Sequence, residues 1–375
     1  MLNKGVIFFG YILLITISLC YSEIIKDIRI GRNIIVDDEQ NIYTHYDYYS
    51  IIKYSPQGKK LLIIGRRGEG PGDIKRIGWF DINPKDSMLY ITEAFNGNRR
   101  VSIFSPVTGK YIDNWKFEFN WNEWECIPYI QFDNLGNVYI ETIKTVWRRY
   151  KTYRIGALER AIFKYSYSGE KRKEFYRLKS DFMAEQRGKG NVTMPHCNYL
   201  YWSIHDKFLF TRENSKAHIS VFDLKGKLVK EIPLPFSIEK FTTKDIDIWE
   251  QRIRSDPRLK KGISEGWFDI KFWRRNLQFP KIKSIFGDRM FFDSKGFLYS
   301  YKITAESEKV NTWLKTNITS NKSSIINFPV SHRLVCIKNG YCYFSIRPDN
   351  DENYPSLLKI EENSIINEFG DINVK

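Results

Sequence analysis

The chain has 375 residues, of which 42% are hydrophobic and 16% aromatic, and its formal net charge is +15. That supplies apolar surface for a large core and excludes an extended polar chain. The five cysteines form no Cys-x-x-Cys pair and share no regular spacing with histidine, which excludes a zinc module.

In chain order, Lys4 precedes an apolar run of 15 residues from Gly5 to Leu19. The run is too short for a comfortable membrane span and fits a secretory signal. Residues 1–22 are therefore read as a signal peptide, cut after Ser22 with Cys20 at the small position three back. Cys20 as a lipid-bearing residue, or an uncleaved anchor, are the alternatives. Export to the periplasm, the cell surface or the medium is expected, with the membrane involved only through that N-terminal lipid or anchor. Ile24 to Ile30 alternates weakly and predicts a strand that pairs with the end of the chain, near residues 330–368.

From there a pattern recurs. Asp37-x-x-x-Asn41-Ile42-Tyr43 returns as Asp133-x-x-Gly136-Asn137-Val138-Tyr139 and as Asp293-x-x-Gly296-Phe297-Leu298-Tyr299. Looser copies end on Tyr90, Phe210 and Tyr343. A second half, Ile51-Ile-Lys-Tyr54-Ser-x-x-Gly58, returns as Val101-Ser-Ile103-Phe104 to Gly109, Ile162-Phe-Lys-Tyr165-Ser-x-x-Gly169 and Ile219-Ser-Val221-Phe222 to Gly226. Each half reads as a β-hairpin around a Gly or Asn turn. Two hairpins make a four-stranded sheet that must stack on its copies. The six anchors Tyr43, Tyr90, Tyr139, Phe210, Tyr299 and Tyr343 lie 47, 49, 71, 89 and 44 residues apart. Three intervals fit a plain propeller blade and two carry insertions. The expectation is all-β: a six-bladed β-propeller of four-stranded antiparallel blades over residues 23–375. A β-sandwich also has short strands and regular turns; the paired aromatic and glycine signature favours the propeller.

Gly65-Arg66-Arg67-Gly68-Glu69-Gly70-Pro71-Gly72-Asp73-Ile74 lacks the Gly-Lys-Ser/Thr ending of a phosphate loop and precedes a strand. Gly68, Gly70, Pro71 and Gly72 are read as a tight crossing between blades. This segment, the run Tyr90 to Phe104 with Asn98-Arg99-Arg100, and Phe279-Pro280-Lys281 resemble the bacterial six-bladed β-propeller proteins related to NHL repeats. The resemblance covers about residues 30–368, with Ile74 where that family usually has Phe. It implies the propeller fold and export, often as a lipoprotein, and it implies no activity, because most of the family has no known function.

Residues 236–279 interrupt the repeat between blades four and five. Thr242-Thr243-Lys244-Asp245 resembles a capped helix start. Ile246, Trp249 and Ile253 follow a helical stripe, and Pro257 ends it. Trp267, Phe268, Ile270, Phe272, Trp273 and Leu277 form a second run. One or two helices are expected, covering either an apolar patch or the central opening. Phe182 to Val192 is expected to be a loop.

Cys336 and Cys342 flank Asn339-Gly340 and should remain free thiols, with Cys336 facing Tyr343. His45, His196, His205, His218 and His332 form no metal motif, and Glu93 and Glu141 are the acidic candidates near the axis. No catalytic residue, metal ligand or cofactor is assigned. A divalent metal serving a hydrolase or lyase at the channel mouth is the alternative reading, which a resemblance to NHL-type lyases brings in. Basic residues interleave with aromatics at Trp147-Arg148-Arg149 and Trp273-Arg274 and cluster at Arg66-Arg67; these seven are the candidate ligand-binding residues. Such patches grip anionic polymers. An exported protein rarely meets nucleic acid, so an anionic glycan, a lipid headgroup or an envelope protein is the expected partner of a monomeric binding or scaffolding module.

Overall fold

A computed structural model describes residues 22–25, 28, 30, 31, 33–93, 100–116, 126–149, 153–186, 190–193, 199–277, 279, 281, 283, 286–302, 310–346 and 355–365. Residues 1–21 with Cys20, together with Asn98, Arg99, His196, Cys197 and Pro280, lie outside these residues. Among the described residues the chain is all-β apart from short helices, and its strands fall into six antiparallel sheets and one short parallel pair, Arg66–Arg67 with Asp73–Ile74. Sheet I comprises Ile34–Val36, Ile42–His45, Ile51–Tyr54 and Lys60–Ile64. Sheet II comprises Ile77–Ile82, Leu89–Glu93, Arg100–Phe104 and Tyr111–Lys116. Sheet III comprises Cys126–Phe132, Val138–Arg149, Arg154–Tyr165, Lys171–Gln186 and Gly190–Thr193. Sheet IV comprises Leu200–His205, Phe208–Glu213, His218–Asp223 and Leu228–Pro233. Sheet V comprises Phe286–Phe292, Phe297–Lys302, Val310–Asn317 and Ser323–Pro329. Sheet VI comprises His332–Lys338, Tyr341–Ile346, Ser356–Glu361 and, as its outer strand, Ser22–Ile25 from the start of the chain. Ser22 pairs with Ile360 and Ile25 with Leu357, so a closing strand forms on the last sheet as expected, but at Ser22–Ile25, sharing only Ile24 and Ile25 with the expected Ile24–Ile30.

Sheets I to V are simple meanders, sheet VI is a three-stranded meander extended by Ser22–Ile25, and the six sheets pack face to face in sequence order. Six hydrophobic clusters each sit between two consecutive sheets: I with II, II with III, III with IV, IV with V, V with VI, and VI with I. Each anchor aromatic lies in the second strand of its sheet and enters the cluster shared with the following sheet. Tyr43, Tyr90, Tyr139, Phe210, Tyr299 and Tyr343 are all fully or almost fully buried. The physical reason is the pleat: with a period of two, one face of each strand meets the sheet before and the other meets the sheet after.

The turn Asn339-Gly340 joins Lys338 directly to Tyr341 with both central residues at positive φ, 52° and 78°. That backbone suits Asn and Gly and matches strand twist. It sets Cys336 opposite Tyr343 and Cys342 opposite Ile337, so the two free thiols point to different faces.

The crossing from sheet I to sheet II depends on its glycines in two ways. Gly72 sits at φ +76°, and a Cβ there would stand 2.8 Å from that of Tyr111. A Cβ on Gly68 would lie 2.3 Å from Oδ2 of Asp73. Arg100, buried on sheet II, donates to the carbonyls of Gly70 and Asp73 at 2.8 and 2.6 Å and pairs with Glu93 at 3.0 Å. Glu93 also accepts the Lys75 amide at 2.9 Å. The candidate acid is thus a clamp on the crossing.

Two expectations about the insertions change. Three helices form rather than one or two: α1 (Thr243–Ser255), α2 (Pro257–Ser264) and α3 (Ile270–Asn276). Thr242 caps α1, its amide donating to Asp245 at 2.8 Å. Pro257 does stop α1, and it also opens α2, where a missing amide hydrogen costs nothing. Residues 182–192 are not simply a loop: the fourth strand of sheet III runs on to Gln186 and pairs with Gly190–Thr193, Ala184 opposite Val192. The helices pack on this extension. Trp249, Ile253, Phe268, Ile270, Trp273 and Leu277 bury themselves with Ile155, Ala184 and Val192. Tyr153 donates its hydroxyl to the Asn276 carbonyl at 2.8 Å, and Trp249 its indole N–H to the Thr193 carbonyl at 3.3 Å.

Candidate functional site

The first strands of sheets I to VI together line a cavity of about 560 Å³. No described residue of 236–279 lines it, so the helices cover the extension of sheet III and leave the cavity clear.

The recurring turn reaches the cavity in sheet I, where Asp37, Tyr43 and Lys53 line it. Asp37 accepts the Asn41 amide at 2.8 Å and the Tyr43 hydroxyl at 2.9 Å, and Lys53 stands 3.7 Å away. In sheet III, Asp133 accepts the Asn137 amide at 2.9 Å and the Tyr139 hydroxyl at 3.2 Å, with Lys164 at 3.5 Å. In sheet V, Asp293 accepts the Phe297 amide at 2.8 Å and the Tyr299 hydroxyl at 3.3 Å, with Lys315 at 3.5 Å. Each Lys lies directly across the strand pair from its Tyr and 5.2 to 5.3 Å from the ring centre. The carboxylate holds the turn and satisfies a phenol buried against the next sheet, and the ammonium offsets its charge. Burial, followed by the neighbouring carboxylate, pushes the Tyr43 and Tyr139 hydroxyls far above the ordinary phenol value. The lysine was visible in Lys53-Tyr54-Ser55 and Lys164-Tyr165-Ser166, but its place opposite the tyrosine depends on strand register.

Deeper in the cavity, Trp79 meets Tyr129 edge to face at 4.6 Å, and Tyr129 meets Trp202 at 4.8 Å. Gln131 accepts the Ile204 amide at 2.7 Å, binding sheet III to sheet IV. His205 stacks on Phe292 with ring centres 4.2 Å apart. At the rim, Lys338 pairs with Asp38 at 2.9 Å. Asp81 lines the wall, one oxygen accepting the Ile82 amide at 2.8 Å. Desolvation pushes its carboxyl up to about 7, against smaller opposing effects of that hydrogen bond and of Lys338.

The seven residues singled out for ligand binding lie elsewhere, and none lines the cavity. Arg66 pairs with Asp73 at 2.6 Å and Arg67 lies 5.1 Å above the Tyr49 ring. Trp147 is covered by the Arg154 guanidinium at 4.3 Å, Arg148 pairs with Asp181, and Arg149 is exposed opposite Arg154. Trp273 is fully buried and serves as core for the helices, so it presents no surface to a ligand. Arg274 pairs with Asp247 and with Glu250, each at 2.6 Å. The 147–149 and 273–274 groups belong to one unit, sheet III's extension with its helices, whereas Arg66 and Arg67 sit at the crossing between sheets I and II. Gly68, Gly70, Pro71 and Gly72 lie in that same crossing.

Glu141 is buried and binds Arg160 and the Trp202 indole, the latter at 3.2 Å. His218 lies 3.2 Å from Glu231. Among the described residues no three His, Cys, Asp or Glu side chains gather in a way that could hold a metal ion. No helix among them is long and apolar enough to cross a membrane.

No family model matches the chain, and no curated protein matches its sequence. Solved structures do match. A Bacteroides fragilis protein assigned as exported aligns with 91% of this chain and 95% of its own, at 10% identity and a TM-score of 0.50. A member of the duf4221 family from Bacteroides vulgatus aligns with 91% and 97%, at 10% identity and a TM-score of 0.49. At such identity the likeness to the Bacteroides fragilis protein concerns the fold alone, and the chain is similar to it in its β-rich architecture.

Proposed function

We propose that the chain is an exported six-bladed β-propeller that acts as a binding module, with its ligand seated in the central cavity. The observation that carries this reading is the shared lining: all six sheets contribute their first strands to one polar and aromatic cavity. A rigid frame with polar groups converging on an aromatic-walled hollow is the usual form of a small-ligand site. Six interfaces, the last closing VI onto I, support the propeller. The apolar run before Ser22 supports export, as does the exported assignment of the Bacteroides fragilis neighbour.

The arginine patches support an anionic glycan, lipid headgroup or envelope partner less well than their sequence suggests. Arg66, Arg148 and Arg274 each meet a carboxylate of their own chain. Among the described residues no convergent ligand set supports the metal-dependent hydrolase or lyase.

The test is a thermal-shift screen of the mature chain against sugars, organic anions and amines, repeated with Trp79→Leu. Hits whose shift disappears in the variant place binding in the cavity. Hits that bind the variant equally well overturn the assignment.

A further inference from the structure

Resting on the cavity reading above, we infer that the ligand is a small cation with an apolar body, an amine or guanidinium carried on a ring or alkyl group. The charge of the cavity has the opposite sign to that of the chain. Four carboxylates line it, Asp37, Asp38, Glu39 and Asp81, against two ammonium groups, Lys53 and Lys338. Both lysines are engaged: Lys53 with Asp37 and the Pro106 carbonyl, Lys338 with Asp38. Glu39 accepts the Asn41 side-chain amide, and Asp81 accepts a single backbone amide. No described cation stands within ion-pair distance of Asp81. An anion drawn to the chain by its +15 charge would meet repulsion here, while low-dielectric walls strengthen the attraction for a cation. The apolar body follows from Trp79 and Tyr129 on the wall and from the His205–Phe292 stack. Aromatic faces also attract cations directly.

The position of Asp81 supports the same ligand. Its carboxylate has no described cation in direct contact and feels Lys338 only as a minor opposing effect, and enclosure raises its proton affinity until it is half protonated near neutrality. A bound ammonium would supply the missing charge and release the proton, so binding should tighten as pH rises through about 7. The charged and titratable groups that line the cavity with Asp81 are Lys338 and Cys336 from sheet VI, Asp37, Asp38, Glu39, Tyr43 and Lys53 from sheet I, Tyr129 from sheet III and His205 from sheet IV.

Three probes of one shape separate the terms: phenethylamine, phenethyl alcohol and phenylacetate, titrated at millimolar concentration against tryptophan fluorescence and calorimetry. The expected order is amine, alcohol, acid, with the amine about tenfold tighter than the alcohol, the scale of one ion pair whose attraction is largely offset by desolvation. Asp81→Asn should bring the amine down to the alcohol's affinity and leave the alcohol unchanged. The amine's advantage should shrink between about pH 8 and about pH 6. Phenylacetate binding as well as the amine, an advantage that survives Asp81→Asn, or no binding of the amine overturns the cation assignment. If alcohol or acid binds and is lost in Trp79→Leu, the cavity reading stands while the cation falls. If the amine binds and neither Asp81→Asn nor Trp79→Leu changes it, the cavity reading falls as well.

Discussion

The ring of six sheets and the unit built on the extension of sheet III obtain their cores in different ways. In the ring one device recurs: an aromatic in the second strand enters the gap before the next sheet, and at sheets I, III and V an aspartate turn and a lysine complete it. The extension has no such device. Trp249, Phe268 and Trp273 pack there once, against Ile155, Ala184 and Val192, through contacts unlike any other in the chain. Their electrostatics differ too. Carboxylates predominate in the ring's cavity, while the extension carries exposed arginines tied to acids beside them. A ring of this kind shares each gap between two sheets, so loss at one gap is felt around it. A single-sided attachment can open alone, because few contacts tie it to the rest.

The strongest way to break that comparison is Trp273→Ala. A fully buried Trp replaced by Ala costs about 3–5 kcal/mol. Hydrogen exchange should then quicken at residues 243–276 and at Gly190–Thr193 while sheets I, V and VI keep their protection. Equal loss of protection everywhere would show that the extension and the ring fold as one unit.

Next comes Asp133→Ala, in the ring. It removes the acceptor for the Asn137 amide and the Tyr139 hydroxyl and leaves Lys164 without its carboxylate. Stranding buried donors in this way costs about 2–4 kcal/mol. The loss should lower the midpoint of global unfolding, with exchange quickening in sheets II and IV as well as III. An effect confined to sheet III would mean that the gaps are not coupled.

Asp81→Asn has a smaller, pH-dependent effect. The native carboxyl is raised to about 7 by desolvation, so the native state binds a proton that the unfolded chain has already released. Stability therefore falls as pH rises from the ordinary carboxylate range to about 7, and Asn removes that loss. A shift of this size corresponds to at most ~4 kcal/mol, and the partial exposure of Asp81 reduces it to about 1–2. Chemical denaturation should find the variant more stable near pH 8 and equal to the parent near pH 4. The same gain at both values would exclude the carboxylate as its cause.

The ring was the legible part of this chain because its cause is local and repeated. Asp37, Asn41 and Tyr43 are close in sequence, so hairpin, turn and anchor all show in a short window, and even the pairing of Cys336 with Tyr343 follows from a two-residue turn. The cavity was not legible. Trp79, Asp81, Gln131 and Lys338 meet only after several sheets have stacked, and no spacing in the chain records that meeting. The partners of the arginine clusters were hidden for the same reason. A run such as Trp147-Arg148-Arg149 shows its charges, but the acids that neutralise them come from residues as distant as Asp181. The helices showed their caps and stripe, yet their seat depended on Ala184 and Val192 pairing in what the sequence marks as a loop.

The smallest expected effect belongs to Arg148→Ala. The Arg148–Asp181 pair is part-exposed on the outer hairpin, where such pairs contribute about 0–1 kcal/mol. Its value lies in charge. If the paired arginines of the extension are already neutralised, removing this one leaves retention on an immobilised heparin column nearly unchanged, and the salt needed for elution stays where it was. If Arg148 grips an anionic polymer directly, elution moves to lower salt and the salt dependence of binding flattens by the share of one contact. Asp181→Asn sharpens the answer, because it frees the guanidinium without removing it. Retention that rises in Asp181→Asn and holds steady in Arg148→Ala would show that the acid, placed across the hairpin, keeps this surface from binding anions.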